Sequence, residues 1–193
     1  MEQSPQDIAH DLENIQGALN GDQGAFRGIV EKYHAYIFKL CWRMTQNRQD
    51  AADLTQETFL KLYTHLKDYK PGQKLSNWLY TIALNDCRKH LRRKKIVRFF
   101  SYSADDNPGE LTSESLMADK GIQQAQSQDL LNRLVASLPE SYRSVFILRY
   151  FDGLGEEEIA QVTGLTISNV RVRIHRARRY LWEKHGDLIQ EFL

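Results

Sequence analysis

The chain has 193 residues, of which 41% are hydrophobic and 26% are charged, a balance typical of a globular protein with one large domain or two small ones. No apolar stretch approaches the roughly 20 residues of a membrane span, and the acidic N-terminus is unlike a signal peptide. We therefore expect a cytoplasmic protein without direct membrane insertion. Cys41 and Cys87 are isolated in the sequence, which argues against a disulfide framework or a structural zinc site.

The net charge of +1 conceals an uneven distribution of charge along the chain. Residues 1–68 carry 7 basic and 10 acidic side chains, whereas residues 69–100 carry 9 basic and 1 acidic side chain. Residues 101–125 carry 1 basic and 5 acidic side chains. Residues 126–193 carry 9 of each, but five arginines and no acid lie within 166–182. Two separated basic segments predict two contacts with a polyanion, although solvated helix faces have the same composition.

Two amphipathic helices are predicted in the N-terminal part. The first begins after Asp22, a candidate N-cap, and its apolar residues recur every three or four positions up to Met44. The second runs from about Asp50 to Leu66. Its predicted core face consists of Ala52, Thr55, Phe59, Leu62, Tyr63 and Leu66. Its opposite face holds Asp50, Asp53, Leu54, Glu57 and Leu60. An acidic face with two leucines suits either solvent or a protein partner.

A third helix is predicted from about Leu75 to Lys95, after a turn at 69–74. It carries an apolar stripe and a separate polar stripe, and it ends in a basic run that the helix macrodipole explains only in small part. Aromatic residues interleaved with cations suit unpaired nucleic-acid bases. Tyr69, in the predicted turn, is the better candidate for a base contact, because Trp78 also fits the helix's core stripe.

The C-terminal part is again helical by its apolar periodicity, after an acidic linker rich in Ser, Asp, Pro and Gly at 99–125. A short predicted helix with acids in its first turn ends at Gly164. The last helix has a predicted buried stripe of Ile167, Val170, Ile174, Ala177 and Leu181. Its opposite face is polar and rich in arginine. This order of helix, glycine turn and basic helix predicts a DNA-binding helix-turn-helix.

Motifs for catalysis are missing from the sequence. It contains no Gly-rich phosphate loop, no HExxH and no GxSxG. The histidines are scattered, and the acidic run at 156–158 is explained as a helix N-terminus. We therefore expect no catalytic site, no metal and no cofactor, and the chain is not expected to be an enzyme.

Three segments resemble bacterial RNA polymerase sigma factors of the extracytoplasmic-function group (ECF, group 4 of the sigma-70 family). DAADLTQETFLKLYTHL at 50–66 resembles the helix that grips the clamp helices of the polymerase. NWLYTIALNDCRKHLRR at 77–93 resembles the segment that melts the promoter's minus-ten element. The segment from SLPESYR to RARRYL at 137–181 resembles the domain that reads the minus-thirty-five element. The resemblance covers roughly residues 20–185, with a linker in place of a middle domain.

The resemblance implies an all-α fold with two helical domains. These are a region 2 domain at 1–98 and a helix-turn-helix region 4 domain at 126–193, joined by the flexible linker. It also implies three partners: core RNA polymerase, through its β′ clamp helices and β flap; promoter DNA, both duplex and single-stranded; and an anti-sigma factor, which in this family is often anchored to the membrane.

Together, the helical faces and the resemblance define three sets of candidate site residues. The polymerase-binding set is Asp50, Asp53, Leu54, Gln56, Glu57 and Leu60. The minus-ten set is Tyr69, Lys70, Lys74, Trp78, Asn85, Arg88, Arg92 and Arg93. The minus-thirty-five set is Ser168, Asn169, Arg171, Val172, His175, Arg176 and Arg179. The sequence departs from the family at Gly155, where serine is usual, and at Ser168-Asn169, where Gly-Thr is common.

The function that these patterns predict is that of an alternative sigma factor, which directs RNA polymerase to promoters and helps to open them. A helix-turn-helix repressor is the alternative. It would need a dimer to span two half-sites, and it leaves the helix at 50–66 and the basic segment at 69–98 unexplained. A helical nuclease would need carboxylates or histidines clustered around a metal, and the sequence shows no such cluster.

Overall fold

The computed structural model describes residues 4–101 and 131–190, with side chains at 4–97 and 131–186. These residues form helices and contain no strand, which confirms the expected all-α class. In chain order the helices are α1 (Pro5–Leu19), α2 (Gln23–Thr45), α3 (Arg48–Thr64), α4 (Leu75–Ser101), α5 (131–137 in its described part), α6 (Glu140–Tyr150), α7 (Glu156–Thr163) and α8 (Ile167–Gln190). A 3-10 turn at Leu66–Asp68 precedes α4. The predicted linker at 99–125 lies outside the described residues except for 99–101, where α4 continues.

Side-chain caps determine where the N-terminal helices begin. The Asp22 carboxylate accepts hydrogen bonds from the backbone N–H groups of Gly24 (2.7 Å) and Ala25 (3.3 Å), which confirms it as the N-cap of α2. Asn47 caps α3 in the same way, so this helix begins two residues earlier than predicted. The sequence analysis did not predict α1, whose start carries a capping box of Ser4 and Asp7.

The N-terminal domain is a bundle in which α2 packs against α1, α3 and α4. The predicted core face of α3 is partly wrong, because α2 and α4 both pack on this helix and bury an arc that the wheel centred too far to one side. Leu54 is buried, whereas Ala52 and Tyr63 are exposed. Thr55 and Thr58 are also buried, and their hydroxyls donate to backbone carbonyls one turn earlier (2.6 and 2.7 Å).

The C-terminal domain packs α8 across α6 and α7. Gly164 has a φ of 71°, a left-handed conformation that glycine adopts without strain, and it ends α7 as predicted. Val170 and Ala177 are fully buried, in agreement with the predicted stripe of α8. Ile167, by contrast, is 37% exposed, because the first turn of α8 extends past the helices that bury the rest of the stripe.

The two domains pack against each other through α4 with α7 and α2 with α6. A single cluster of buried residues includes members of α4, such as Leu79, and members of α7, such as Ile159. The Arg43 guanidinium lies 4.1 Å from the centre of the Phe151 ring, a cation–π contact between the domains. In the part of the chain that the structure describes, no helix has the length and apolar character of a membrane span.

Candidate polymerase and nucleic-acid interfaces

The outer face of α3 presents most of the candidate polymerase-binding residues to solvent. Asp53, Gln56, Glu57 and Leu60 are exposed, Leu60 to 62%. Leu54 was placed on this face by the helical wheel, but it is 5% exposed and belongs to the core. This placement was wrong, because the buried arc of α3 includes position 54.

Asp50 is on the edge of α3 that contacts α4 rather than on its open face. Its carboxylate lies 2.5 Å from Lys94 Nζ and 3.2 Å from His90 Nε2, and its side chain is 17% exposed. Partial burial opposes ionisation, but the hydrogen bonds from Lys94 and His90 outweigh it and lower the pKa of Asp50. Asp50 therefore fixes α3 to the basic end of α4.

The sequence analysis missed Tyr63 as a member of the exposed face. Its side chain is 58% exposed, and its ring packs edge-on against Phe26 with 5.0 Å between centroids. The exposed stripe thus runs through Asp53, Glu57, Leu60 and Tyr63 and continues the acidic face with an aromatic residue. Spacing by three and four residues from Asp53 would have found Tyr63, had it not been assigned to the core.

The turn before α4 brings two aromatic candidates together. The rings of Tyr69 and Trp78 lie 5.7 Å apart, and the Tyr69 hydroxyl donates to the carbonyl of Gln73. Both side chains are half-buried and pack against the core. Lys70, beside them, is exposed. Trp78 therefore packs against the hydrophobic core and also contacts the Tyr69 ring.

The polar stripe of α4 recurs every three or four residues and runs the length of the helix. Asn85, Arg92 and Arg93 are exposed. Lys74 and Arg88 are half-buried because the C-terminal domain contacts them. Lys74 Nζ lies 2.7 Å from Glu158 Oε1, and Arg88 donates to Ser144 Oγ at 3.4 Å. Asn85, Arg88 and Arg92 therefore share one side of α4, and part of that side faces the other domain.

The outer face of α8 is open to solvent at every candidate position of the minus-thirty-five set: Ser168, Asn169, Arg171, Val172, His175, Arg176 and Arg179. Arg171 Nε lies 2.6 Å from Glu156 Oε2 of the preceding helix, and Arg179 lies 3.2 Å from Glu183. The neighbouring Arg173 donates to the carbonyl of Ser141 in α6 at 3.3 Å. The contacts of Arg171 and Arg173 orient α8 on its own domain, and the outer surface of α8 stays accessible.

The exposed basic surfaces of α8 and α4 are typical of a protein that binds nucleic acid. A helix-turn-helix with an exposed, arginine-rich second helix fits the DNA major groove, and a second basic helix adds a separate surface for nucleic acid. Among the described residues, no group of three or more His, Cys, Asp or Glu side chains could hold a metal ion.

Comparison with known proteins identifies the family. Residues 29–96 match the family model for Sigma-70 region 2, and residues 128–181 match that for Sigma-70, region 4. The chain is 30% identical over 179 residues to the ECF RNA polymerase sigma factor SigW of Bacillus subtilis, covering 90% of this chain and 96% of that protein. It is 31% identical over 186 residues to the ECF RNA polymerase sigma-E factor of Escherichia coli, covering 91% and 94%. The chain belongs to the ECF sigma factors of the sigma-70 family, which confirms the resemblance found in the sequence.

Two solved structures share the fold. CnrH, solved in complex with the cytosolic domain of CnrY, aligns with a TM-score of 0.68 at 22% identity, over 94% of this chain and 98% of that one. The sigma factor RpoE of Bartonella quintana, solved with the anti-sigma factor NepR, aligns with a TM-score of 0.64 at 20% identity, over 82% and 94%. Membership of the family makes this protein an alternative sigma factor that acts in transcription initiation and not as an enzyme.

Proposed function

We propose that this sigma factor divides promoter recognition among three helices. The α3 face binds the β′ clamp helices of core RNA polymerase, α8 reads the minus-thirty-five element as duplex, and α4 with its preceding turn holds the minus-ten element as single strand. The observation that carries this proposal is the segregation of charge. The exposed candidates of α3 include the acids Asp53 and Glu57, whereas those of α4 and α8 include arginines and no acid.

The polymerase contact rests on the stripe through Asp53, Gln56, Glu57 and Leu60, with Tyr63 extending it. Glu57 is held in place by Lys61, 2.8 Å away, which also pairs with Asp86 of α4 at 2.5 Å. A fixed acidic row flanked by exposed apolar side chains suits a partner helix pair with basic residues around an apolar centre. The C-terminal domain, at 126–193, is the candidate partner of the β flap.

The duplex contact rests on the open face of α8. Arginine can pair with both acceptors of a guanine edge, and an exposed valine can contact a thymine methyl group. Arg176 and Val172 lie one turn apart on that face and are both exposed. The proposed role of this helix is therefore to read bases, while the flanking arginines contact phosphates.

The single-strand contact rests on α4 and on the turn before it. Asn85 and Arg92 contact the strand, and the Tyr69–Trp78 pair forms an aromatic surface beside Lys70 where an unpaired base stacks. Opening follows from differential binding, because these groups bind bases that are available only after the strands separate. Their binding offsets the lost stacking, which costs a few kcal/mol for each flipped base.

The proposal also includes an anti-sigma partner. The sigma factor RpoE was solved with the anti-sigma factor NepR, and CnrH was solved with the cytosolic domain of CnrY. Since this chain shares their fold, we expect a protein of the same kind to bind it, and a membrane-anchored one is consistent with the family.

Reconstitution with core RNA polymerase tests the polymerase contact. Asp53→Arg should weaken co-elution with the core enzyme by about tenfold or more, because the substitution reverses a charge at an exposed position. Glu13→Arg is the matched control, because it makes the same charge change at an exposed position of α1. Circular dichroism and thermal melting should be unchanged in both variants. Equal loss in both variants, or no loss in either, would contradict the assignment of α3.

A further inference from the structure

The side of α4 that we assign to the minus-ten strand meets the C-terminal domain at two separate pockets. The first is lined by Lys70, Lys74 and Asn77 from the N-terminal domain, opposite the first turn of α7. In the second, Arg88, Arg92 and Lys95 of α4 lie opposite Glu140 of α6. The C-terminal domain thus contacts the predicted strand-binding surface at Lys74 and Arg88 and leaves Asn85 and Arg92 exposed between and beyond them.

The groups that meet these cations are carboxylates at two helix N-termini. Glu158, the third residue of α7, pairs with Lys74 at 2.7 Å, and Glu140, the first residue of α6, lies 3.9 Å from Lys95 Nζ. Burial lowers the pKa of Arg88, and the nearby Glu140 carboxylate opposes this shift by stabilising the charged guanidinium. Two acids from separate helices therefore face the two ends of one basic stripe.

Glu158 is held rigidly in this position by a second bond. Its Oε2 accepts a hydrogen bond from the backbone N–H of Gly155 at 3.0 Å, while its Oε1 pairs with Lys74. Burial opposes the ionisation of Glu158, but these two contacts outweigh it and lower the pKa of Glu158. A fixed, ionised carboxylate beside a lysine presents the same charge and the same acceptor atoms as a phosphate oxygen.

We propose that the C-terminal domain acts as an intramolecular substitute for the minus-ten strand, with Glu158 and Glu140 in the places of strand phosphates. The inference rests on the proposed role of α4 in strand binding. While the domains are closed, Lys74 and Arg88 already have partners, and single-stranded DNA must displace them. The sigma factor alone therefore binds single strands weakly, and separation of the two domains uncovers the site.

Mass action gives the size of the effect. When only a fraction of the chain is open, the apparent affinity for a ligand of the open form falls in proportion to that fraction, so a chain that is about 99% closed binds about a hundredfold more weakly. The ion pairs are partly exposed, with Lys74 35% and Glu158 27% accessible. Each pair therefore contributes only a modest share of closure. The remaining contacts between the domains, such as Arg143 donating to the carbonyl of Met44 at 2.8 Å, keep the closed form populated.

Neutral variants of the full-length protein test the proposal. Glu158→Gln should raise the affinity for a fluorescent single-stranded oligonucleotide of about 15 nucleotides by about threefold, and adding Glu140→Gln should raise it by about tenfold in all. Glutamine still caps the N–H of Gly155, so α7 is retained. Glu13→Gln is the matched control, since it removes the same charge from an exposed position of α1, away from both pockets. Unchanged affinity in the Glu158 and Glu140 variants, or an equal gain in the control, would overturn the proposal.

A charge exchange separates closure from DNA binding. Lys74→Glu alone should enlarge the radius of gyration in small-angle X-ray scattering, and Lys74→Glu combined with Glu158→Lys should restore the compact value. Failure of the second change to restore it would overturn the electrostatic closure. Arg92→Gln in the Glu158→Gln background tests the proposed function instead. If single-strand affinity stays unchanged there while scattering still reports closure, α4 is not the strand-binding helix and the substitute role is overturned with it.

Discussion

The basic stripe of α4 and the basic face of α8 are similar in sequence but differ in accessibility. Both combine arginines with small polar residues at helical spacing. Every candidate on α8 is exposed, whereas Lys74, directly before α4, and Arg88 on α4 are half-buried against the other domain. Arg171 of α8 pairs with Glu156 of its own domain, but Lys74 pairs with Glu158 across the domain boundary. We therefore expect α8 to read duplex DNA even in the closed chain, and we expect strand binding by α4 to require opening.

The largest expected effect is on duplex recognition by α8. Arg176→Ala should lower the affinity of the holoenzyme for an upstream element selected from random duplexes. A bidentate base contact predicts a base-specific loss of about 1–3 kcal/mol. If Arg176 contacts only a phosphate, the affinity should fall equally for all sequences, and the slope of log affinity against log salt concentration should become shallower by about one. Arg133→Ala, at an exposed position of α5, is the control. Equal affinity in both variants would remove Arg176 from the interface.

The second expected effect is slower promoter opening after substitutions in α4 and in the turn before it, with no loss of duplex binding by α8. Tyr69→Ala and Asn85→Ala should slow promoter opening by about tenfold, because stacking and strand contacts are each worth about 1–3 kcal/mol. Permanganate footprinting of the duplex promoter measures the opening, and Asn85→Ala should also bind a pre-melted template less well. Tyr69→Phe keeps the ring and should open normally. If both alanine variants open at the parental rate and lose upstream binding, the roles of the two domains are reversed.

The smallest effect concerns pH and the contact between the domains. Asp152 is 7% exposed at the end of α6, and burial raises its pKa to about 7, although Arg43 and Lys39 of α2 oppose this. Tyr80 of α4 lies in the same electrostatic cluster. If the carboxyl is exposed and has its ordinary pKa when the domains separate, the closed form binds more protons. Closure is then strongest in acid and is lost as pH rises through 7, with a change of about tenfold between pH 6 and pH 8.

Scattering of the full-length protein across this pH range measures that change. The protein should be more compact at pH 6 than at pH 8, and Asp152→Asn should remove most of the difference. A pH dependence that appears in thermal unfolding but not in the radius of gyration would contradict the prediction. It would mean that the C-terminal domain alone buries the carboxyl.

The local features of this protein were determined by its sequence. The N-cap at Asp22, the glycine end of α7 and the exposed outer face of α8 each follow from residue type or from periodicity within one or two helices. The family also follows from sequence, because its motifs are continuous stretches of the chain. Caps and turns act over a few residues, so no knowledge of the packing is needed to predict them.

The tertiary structure decided which helix faces are buried and which charges meet. A wheel shows that α3 has an apolar side, but the packing of α2 and α4 sets the centre of the buried arc, so Leu54 lies inside and Tyr63 outside. Glu158 and Lys74 are 84 residues apart, and nothing in either local sequence indicates that they pair. Contacts of this kind depend on how two domains dock. Docking is determined by the summed shape and charge of both surfaces, which no periodicity in a single helix encodes.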